Sequence, residues 1–343
     1  MDSTSKSAFK RTLLSSAILF SMQGLAPAAS ASTCPPVNGD NNIHVSRGEF
    51  CSGGIENSAE INDIGLEGFV AGDVVNNHLM SDFWMNGGTL DGALINNGSA
   101  EDIYITNGSE IFSGIRNAGS MRYLTVSNGP GAPTTIHGDI VNEDGAVINN
   151  GLTIDGGASV TGSILNNGDA YDLVVDGGSS VGGDLINNGS AFGIAAFNGA
   201  SIAGDFVNNG QNFFFAAVDG STIGGSMINT GDSVFAGIHD GSTVAGDFGN
   251  EGYIDGVMMV DGATVIGNVY NSEDGYTDGI HITDGSSVGR WPGMTSRPKP
   301  WKRKSGLKMP AVPSLTLAQK PKKTASRPVW VWSTGWITTS PCL

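Results

Sequence analysis

Positive charge is what this 343-residue chain does without over most of its length. Residues 32–289 contain no lysine and three arginines, Arg47, Arg116 and Arg122, against 32 acidic residues, a balance of −29 (3 − 32). A body charged in this way argues against nucleic acid or an anionic bilayer as its partner. Cysteine is nearly as scarce, with Cys34 and Cys51 the two in that stretch. Their number excludes a disulfide-dense scaffold and, in an oxidising compartment, predicts one bridge closing a short loop. A catalytic thiol would have only His44 as a nearby base. The five histidines, at positions 44, 78, 137, 239 and 281, show no metal-ligand spacing. No apolar period of 3.6 residues persists, and 48 glycines in the same stretch rule out a helical body.

What the chain has instead is one asparagine that keeps returning. It stands at Asn76, Asn96, Asn117, Asn142, Asn166, Asn187, Asn208, Asn229, Asn250 and Asn271, and the last six recur at a constant interval of 21. Glycine repeats in phase at Gly178, Gly199, Gly220, Gly241 and Gly262. A period of this length marks a stacked or radial repeat architecture. Each copy, such as Gly182 to Ala203, holds three short apolar pieces separated by Gly, Asn and Asp, which read as three strands and three turns.

Aligned copies expose the inward slots. Val160, Val181, Ile202, Ile223, Val244 and Val265 share one, all β-branched and suited to a stiff strand. Ile164, Leu185, Phe206, Met227, Phe248 and Val269 share a second, and Leu173, Ile194, Phe215 and Ala236 a third. The expectation is an all-β, right-handed parallel β-helix of about 21 residues per coil, its coils about 4.8 Å apart. The recurring asparagines, Asn166, Asn187, Asn208, Asn229, Asn250 and Asn271 above all, are expected to stack as a structural amide ladder worth about 1 kcal/mol per link. Asn97-Gly98-Ser99 and Asn188-Gly189-Ser190 match a glycosylation acceptor only because the repeat spells it.

Chemistry is thinly signalled. Asp184, Asp205 and Asp247 fall in one column, and Asp219, Asp240, Asp261 and Asp284 in another at Asp-Gly turns. Carboxylates about 5 Å apart must splay into water or share a cation, so Ca²⁺ is a candidate ligand of the second column. The nonapeptide of calcium-binding β-rolls is absent. Gly231-Asp232-Ser233-Val234 resembles a hydrolase fragment but occupies an ordinary repeat slot, and no other cofactor or metal site is expected. Phe213-Phe214-Phe215 should turn at least one ring outward, and an aromatic strip along an acidic rod would make an adhesive edge.

The ends differ from the body. Residues 1–31 read as a secretory signal, with Lys6, Lys10 and Arg11, a largely apolar Leu13 to Leu25, and Ala29-Ser30-Ala31 for cleavage. Residues 32–71 are expected to be an N-terminal cap carrying the disulfide, and 72–289 the β-helix repeats. Residues 290–343 hold 11 of the 17 basic residues, eight of the 13 prolines, five of the six tryptophans and no acid. The change falls inside a repeat, at Val288-Gly289-Arg290-Trp291. Two expectations stand for it: out-of-frame translation of a longer gene, or a basic, Pro-rich linker.

Gly183-Asp184-Leu185-Ile186-Asn187-Asn188-Gly189 and Gly204-Asp205-Phe206-Val207-Asn208-Asn209-Gly210, with the signal and the early cysteine pair, resemble the passenger domain of a bacterial autotransporter. The resemblance covers residues 32–289. It implies export to the periplasm, passage through a C-terminal outer-membrane β-barrel, and display or release of a passenger that adheres to host-cell or bacterial surfaces. It implies no enzyme activity. Residues 290–343 cannot supply such a barrel, so the chain as written is expected to remain periplasmic. The alternatives are a truncated, non-functional product or a polysaccharide-acting β-helix, the last of which predicts an acidic groove shared by adjacent coils.

Overall fold

A computed structural model describes residue 34 and residues 41–290; the predicted signal and the tail beyond Arg290 lie outside the described residues. All its regular structure is β, and the strands pair in parallel. Each coil of about 21 residues contributes three strands. One face carries the long strands, as in Ser99–Thr106 or Ser190–Ala196, and forms a 12-stranded sheet. The second carries two-residue strands such as Ser180–Val181, and the third three-residue strands such as Leu185–Asn187. These two short faces join into one 22-stranded sheet because Thr264–Asn271 runs through both.

The short strands follow from composition. A Ser/Thr-Val/Ile pair or a φ-x-Asn triplet is bounded by Gly and Asp, which end the strand before it lengthens. Left-handed backbone angles fall at Asn198, Asp219, Asp240 and Asp284 (φ 50, 55, 53 and 50°), each followed by a glycine also in that region. Asp and Asn tolerate this conformation and glycine does so without strain, so the Asp-Gly turn is a backbone requirement.

The core is a buried column. All three inward slots hold fully buried side chains, including Val181, Leu185, Ile194, Phe206, Phe215 and Phe248. Each is worth about 1.5 to 3 kcal/mol relative to exposure. Register is in phase along the regular coils, Leu185 opposite Phe206 and Phe206 opposite Met227.

The solenoid starts earlier than residue 72. Ile43–Val45 already pairs with Ile61–Leu66, and Ile55–Asn57 with Val74–Asn76. These coils were hidden in the sequence because they are shorter, the interval from Asn57 to Asn76 being 19. At the other end the last strand runs to Arg290, which pairs with Asn268. The long coils absorb their extra residues outside the ladder. One surplus lies in the turn between Ser127 and Thr135, and another in the Glu143–Ala146 turn and a bulge at Asn149 and Asn150 before Gly151.

Candidate interaction surface

The recurring asparagines point inward at the end of each three-residue strand, fully buried as far as Asn250. Asn166 Nδ2 donates to Asn187 Oδ1 at 2.7 Å, Asn187 to Asn208 at 2.8 Å, Asn208 to Asn229 at 2.7 Å, Asn229 to Asn250 at 2.8 Å and Asn250 to Asn271 at 2.7 Å. The column extends back through Asn142, Asn117, Asn96 and Asn76 to Asn57, whose link to Asn76 is 2.7 Å. Asn57 lies off the regular interval, so spacing alone missed it. The same Nδ2 groups reach backbone carbonyls of the long face, such as Ser190 and Tyr276, and so close a corner where the chain leaves the sheet ladder. Both ends of the column are satisfied: Asn57 Oδ1 accepts from Ala59 N, and Asn271 Nδ2 donates to Gly275 O at 2.7 Å. These amides are structural and have no access to a ligand.

An outer column runs beside it with the opposite polarity. Asn97 donates back to Asn77, Asn188 to Asn167 and Asn209 to Asn188, so both glycosylation-like asparagines are already engaged. The first aspartate column is stitched in the same way. Asp184 Oδ1 accepts from Asp205 N, Asp205 Oδ1 from Ser226 N and Asp247 Oδ1 from Asn268 N, each at 2.7 Å. Asp219, Asp240, Asp261 and Asp284 occupy one turn per coil. No group of three or more His, Cys, Asp or Glu side chains among the described residues stands close enough to hold a metal ion. Cys34 and Cys51 are joined, with Cα atoms 4.4 Å apart, and Cys51 is buried in the first coils.

Outward positions of the long face carry the variable chemistry. Several long stretches turn two consecutive residues away from the core before alternation resumes, as in the exposed pair Arg122 and Tyr123, whereas Asp102 in the same slot is itself buried. In the early coils these slots hold acids: Asp63, Asp82 and Asp102 lie in register on neighbouring strands. Arg122, one coil on, pairs with Asp102 at 2.5 Å and with Glu101 at 3.7 Å. Tyr104 donates to Asp102 at 2.9 Å, and its own hydroxyl is pushed up to about 12 by burial and by that bond. The Arg122 hydrogen bond holds Asp102 below its ordinary range, whereas burial and then the Asp102 and Asp63 charges raise Asp82. Sequence spacing missed this column because the intervals between its members fall short of the regular repeat.

In the later coils the same slots turn aromatic. Tyr171, Phe192 and Phe213 stack ring on ring, with centroids 5.1 and 5.2 Å apart and planes within 8 and 3° of parallel. Tyr171 is 44% exposed and Phe213 42%. Beside them Phe214 stacks on Phe235 at 5.6 Å and Phe235 on His239 at 5.7 Å. Of the Phe213-Phe214-Phe215 run, two rings therefore lie outside the core and Phe215 packs edge-on against Phe206 within it. Under this patch Asn212 is buried with neither amide atom partnered. At its N-terminal edge Asp172 lies over Gly193, where a Cβ would come within 2.6 Å of the carboxylate, and burial raises its pKa to about 6.

No family model, no curated protein and no solved structure matches this chain.

Proposed function

We propose that this chain is an exported β-solenoid that acts by surface interaction and not by catalysis, in the manner of an autotransporter passenger. Its N-terminal signal-like segment and its single early cysteine pair support a location outside the cytoplasm. The observation that carries the interaction reading is the aromatic ladder of Tyr171, Phe192 and Phe213. The same slot holds Ser81, Arg122, Asn149 and Asp255 in other coils, so the fold does not demand aromatic rings there. A contiguous run of outward aromatic rings on an acidic body marks a contact site. Beads coated with the full chain should adhere to host cells, extracellular matrix or bacteria. Adherence should fall when Tyr171, Phe192 and Phe213 are all replaced by Thr; a triple variant that adheres as well as the parent removes this reading.

A second reading rests on the in-register Asp63, Asp82 and Asp102 with Arg122. Two in-register carboxylates pushed in opposite directions, Asp82 up and Asp102 down, favour this reading, because acid–base cleavage of a glycan needs one protonated and one ionised carboxyl. It predicts reducing-end release from a panel of polysaccharides that disappears in Asp82→Asn. No release by the parent protein eliminates it.

A further inference from the structure

We propose that the aromatic patch captures a basic polypeptide segment with an apolar centre, an inference that rests on the interaction reading above. The patch has a defined outline. Along its outer column Tyr171, Phe192, Phe213 and Val234 follow one another, with Asn149 before them and Asp255 after. The neighbouring column runs Asp169, Ser190, Gln211 and Asp232 in register. Carboxylates therefore stand at both ends, Asp169 and Asp172 on one side and Asp232 and Asp255 on the other. No ionisable residue occurs in the two central long stretches, 190–197 and 211–218, and no Lys or Arg between 123 and 289.

Ring geometry narrows the occupant. The aromatic planes lie nearly parallel along the stack and spend their faces on one another, so they offer mainly edges to solvent. Sugar rings and bare cations bind to aromatic faces, which disfavours a glycan platform or a cation–π site. Ring edges suit aliphatic side chains and the faces of a partner's aromatics. The carboxylate rim repels an anionic bilayer, and the same face of a second copy would bring a rim of the same sign. What remains complementary is a polypeptide whose apolar centre covers the rings and whose Lys or Arg residues reach both rims.

The spacing sets a length. Four coil steps separate Tyr171 from Asp255, about 19 Å at the usual inter-strand distance, which an extended peptide covers in about six residues. A heptapeptide with lysine at each end and five alternating leucines and tyrosines is therefore the probe. Its controls are the same peptide ended by glutamates and a lysine-ended peptide with a serine centre. The full chain should bind the lysine-ended apolar peptide at least about tenfold more tightly than either control by fluorescence titration. Tyr171→Thr, Phe192→Thr and Phe213→Thr together should abolish that preference while the circular dichroism spectrum and melting cooperativity stay unchanged. Asp232→Asn with Asp255→Asn should weaken binding less and flatten its salt dependence. Equal binding of the serine-centred peptide, or an unaffected triple variant, overturns the proposal. Patch-dependent adherence without peptide binding also overturns it, while leaving the broader interaction reading in place; loss of both ends both.

Discussion

Two stacks of like side chains run along this molecule, and they behave oppositely. The asparagine stack is buried as far as Asn250, continuous from Asn57 to Asn271, and saturated at both ends. The Tyr171–Phe192–Phe213 stack faces outward, with Tyr171 and Phe213 exposed and Phe192 half-buried between them, and is confined to three coils. Repetition is shared by both, so repetition alone does not separate structure from function. Inward amides bond one another and the backbone of the corner, and a coil lacking one would strand its neighbours. Outward slots face water, so acids, amides, an arginine or aromatics all fit the backbone. The outward stack is therefore where this chain spends its chemical freedom.

The contrast can be broken from the inside first. Replacing Asn187 with Leu leaves Asn208 Oδ1 without its donor and Asn166 Nδ2 without its forward acceptor, in a buried corner. The loss should be about 3 kcal/mol or more, read from urea unfolding. A substitution that costs nothing would mean the corner relaxes around the gap and the column is ornamental.

The next effect is a pH dependence at the edge of the patch. Asp172 has a folded pKa of about 6 against an ordinary 3.8. A carboxyl raised on folding contributes stability that is complete below about pH 4 and is lost as pH climbs through 6. Asp172→Asn keeps an acceptor for the Gly193 N–H. It should match the parent at pH 4 and exceed it at pH 7 by about 2 to 3 kcal/mol in urea melts at both values. Parallel pH profiles would show that Asp172 titrates normally.

Smaller still is the change at Asn212, whose inward slot is Ala170 and Ala191 in the two preceding coils. Asn212→Ala removes an unpartnered amide from the core and should raise stability by about 1 kcal/mol. A destabilised variant would place a bound water at that amide. Last, Phe213→Thr should shift stability by less than about 0.5 kcal/mol. Phe215→Ala, two residues on and inside the core, should cost about 3 to 5 kcal/mol. Calorimetry of the pair tests the inside–outside division directly.

Much of the architecture is legible in the sequence, and the reason is specific. Val181, Leu185 and Ile194 recur one coil later as Ile202, Phe206 and Phe215 because each coil must bury the same three points. Where the interval fell short of the regular repeat, legibility failed. Asn57, the coil beginning at Ile43, and the Asp63–Asp82–Asp102 column all sit in that stretch. The Phe213-Phe214-Phe215 run predicts at least one outward ring without saying which. The stack with Tyr171 and Phe192 is not legible there, since stacking depends on which outward slots coincide in space.

The amino-acid order by itself settled that this chain stacks coils of near-constant length around a shared apolar column, because a period in the pattern of buried residues is a one-dimensional record of burial. Only the tertiary structure decided which outward side chains become neighbours. That depends on register between strands a full coil apart along the chain, and on where two consecutive residues turn to the same side. Aspartates and rings that look scattered along the chain thereby become an acidic column and an aromatic patch.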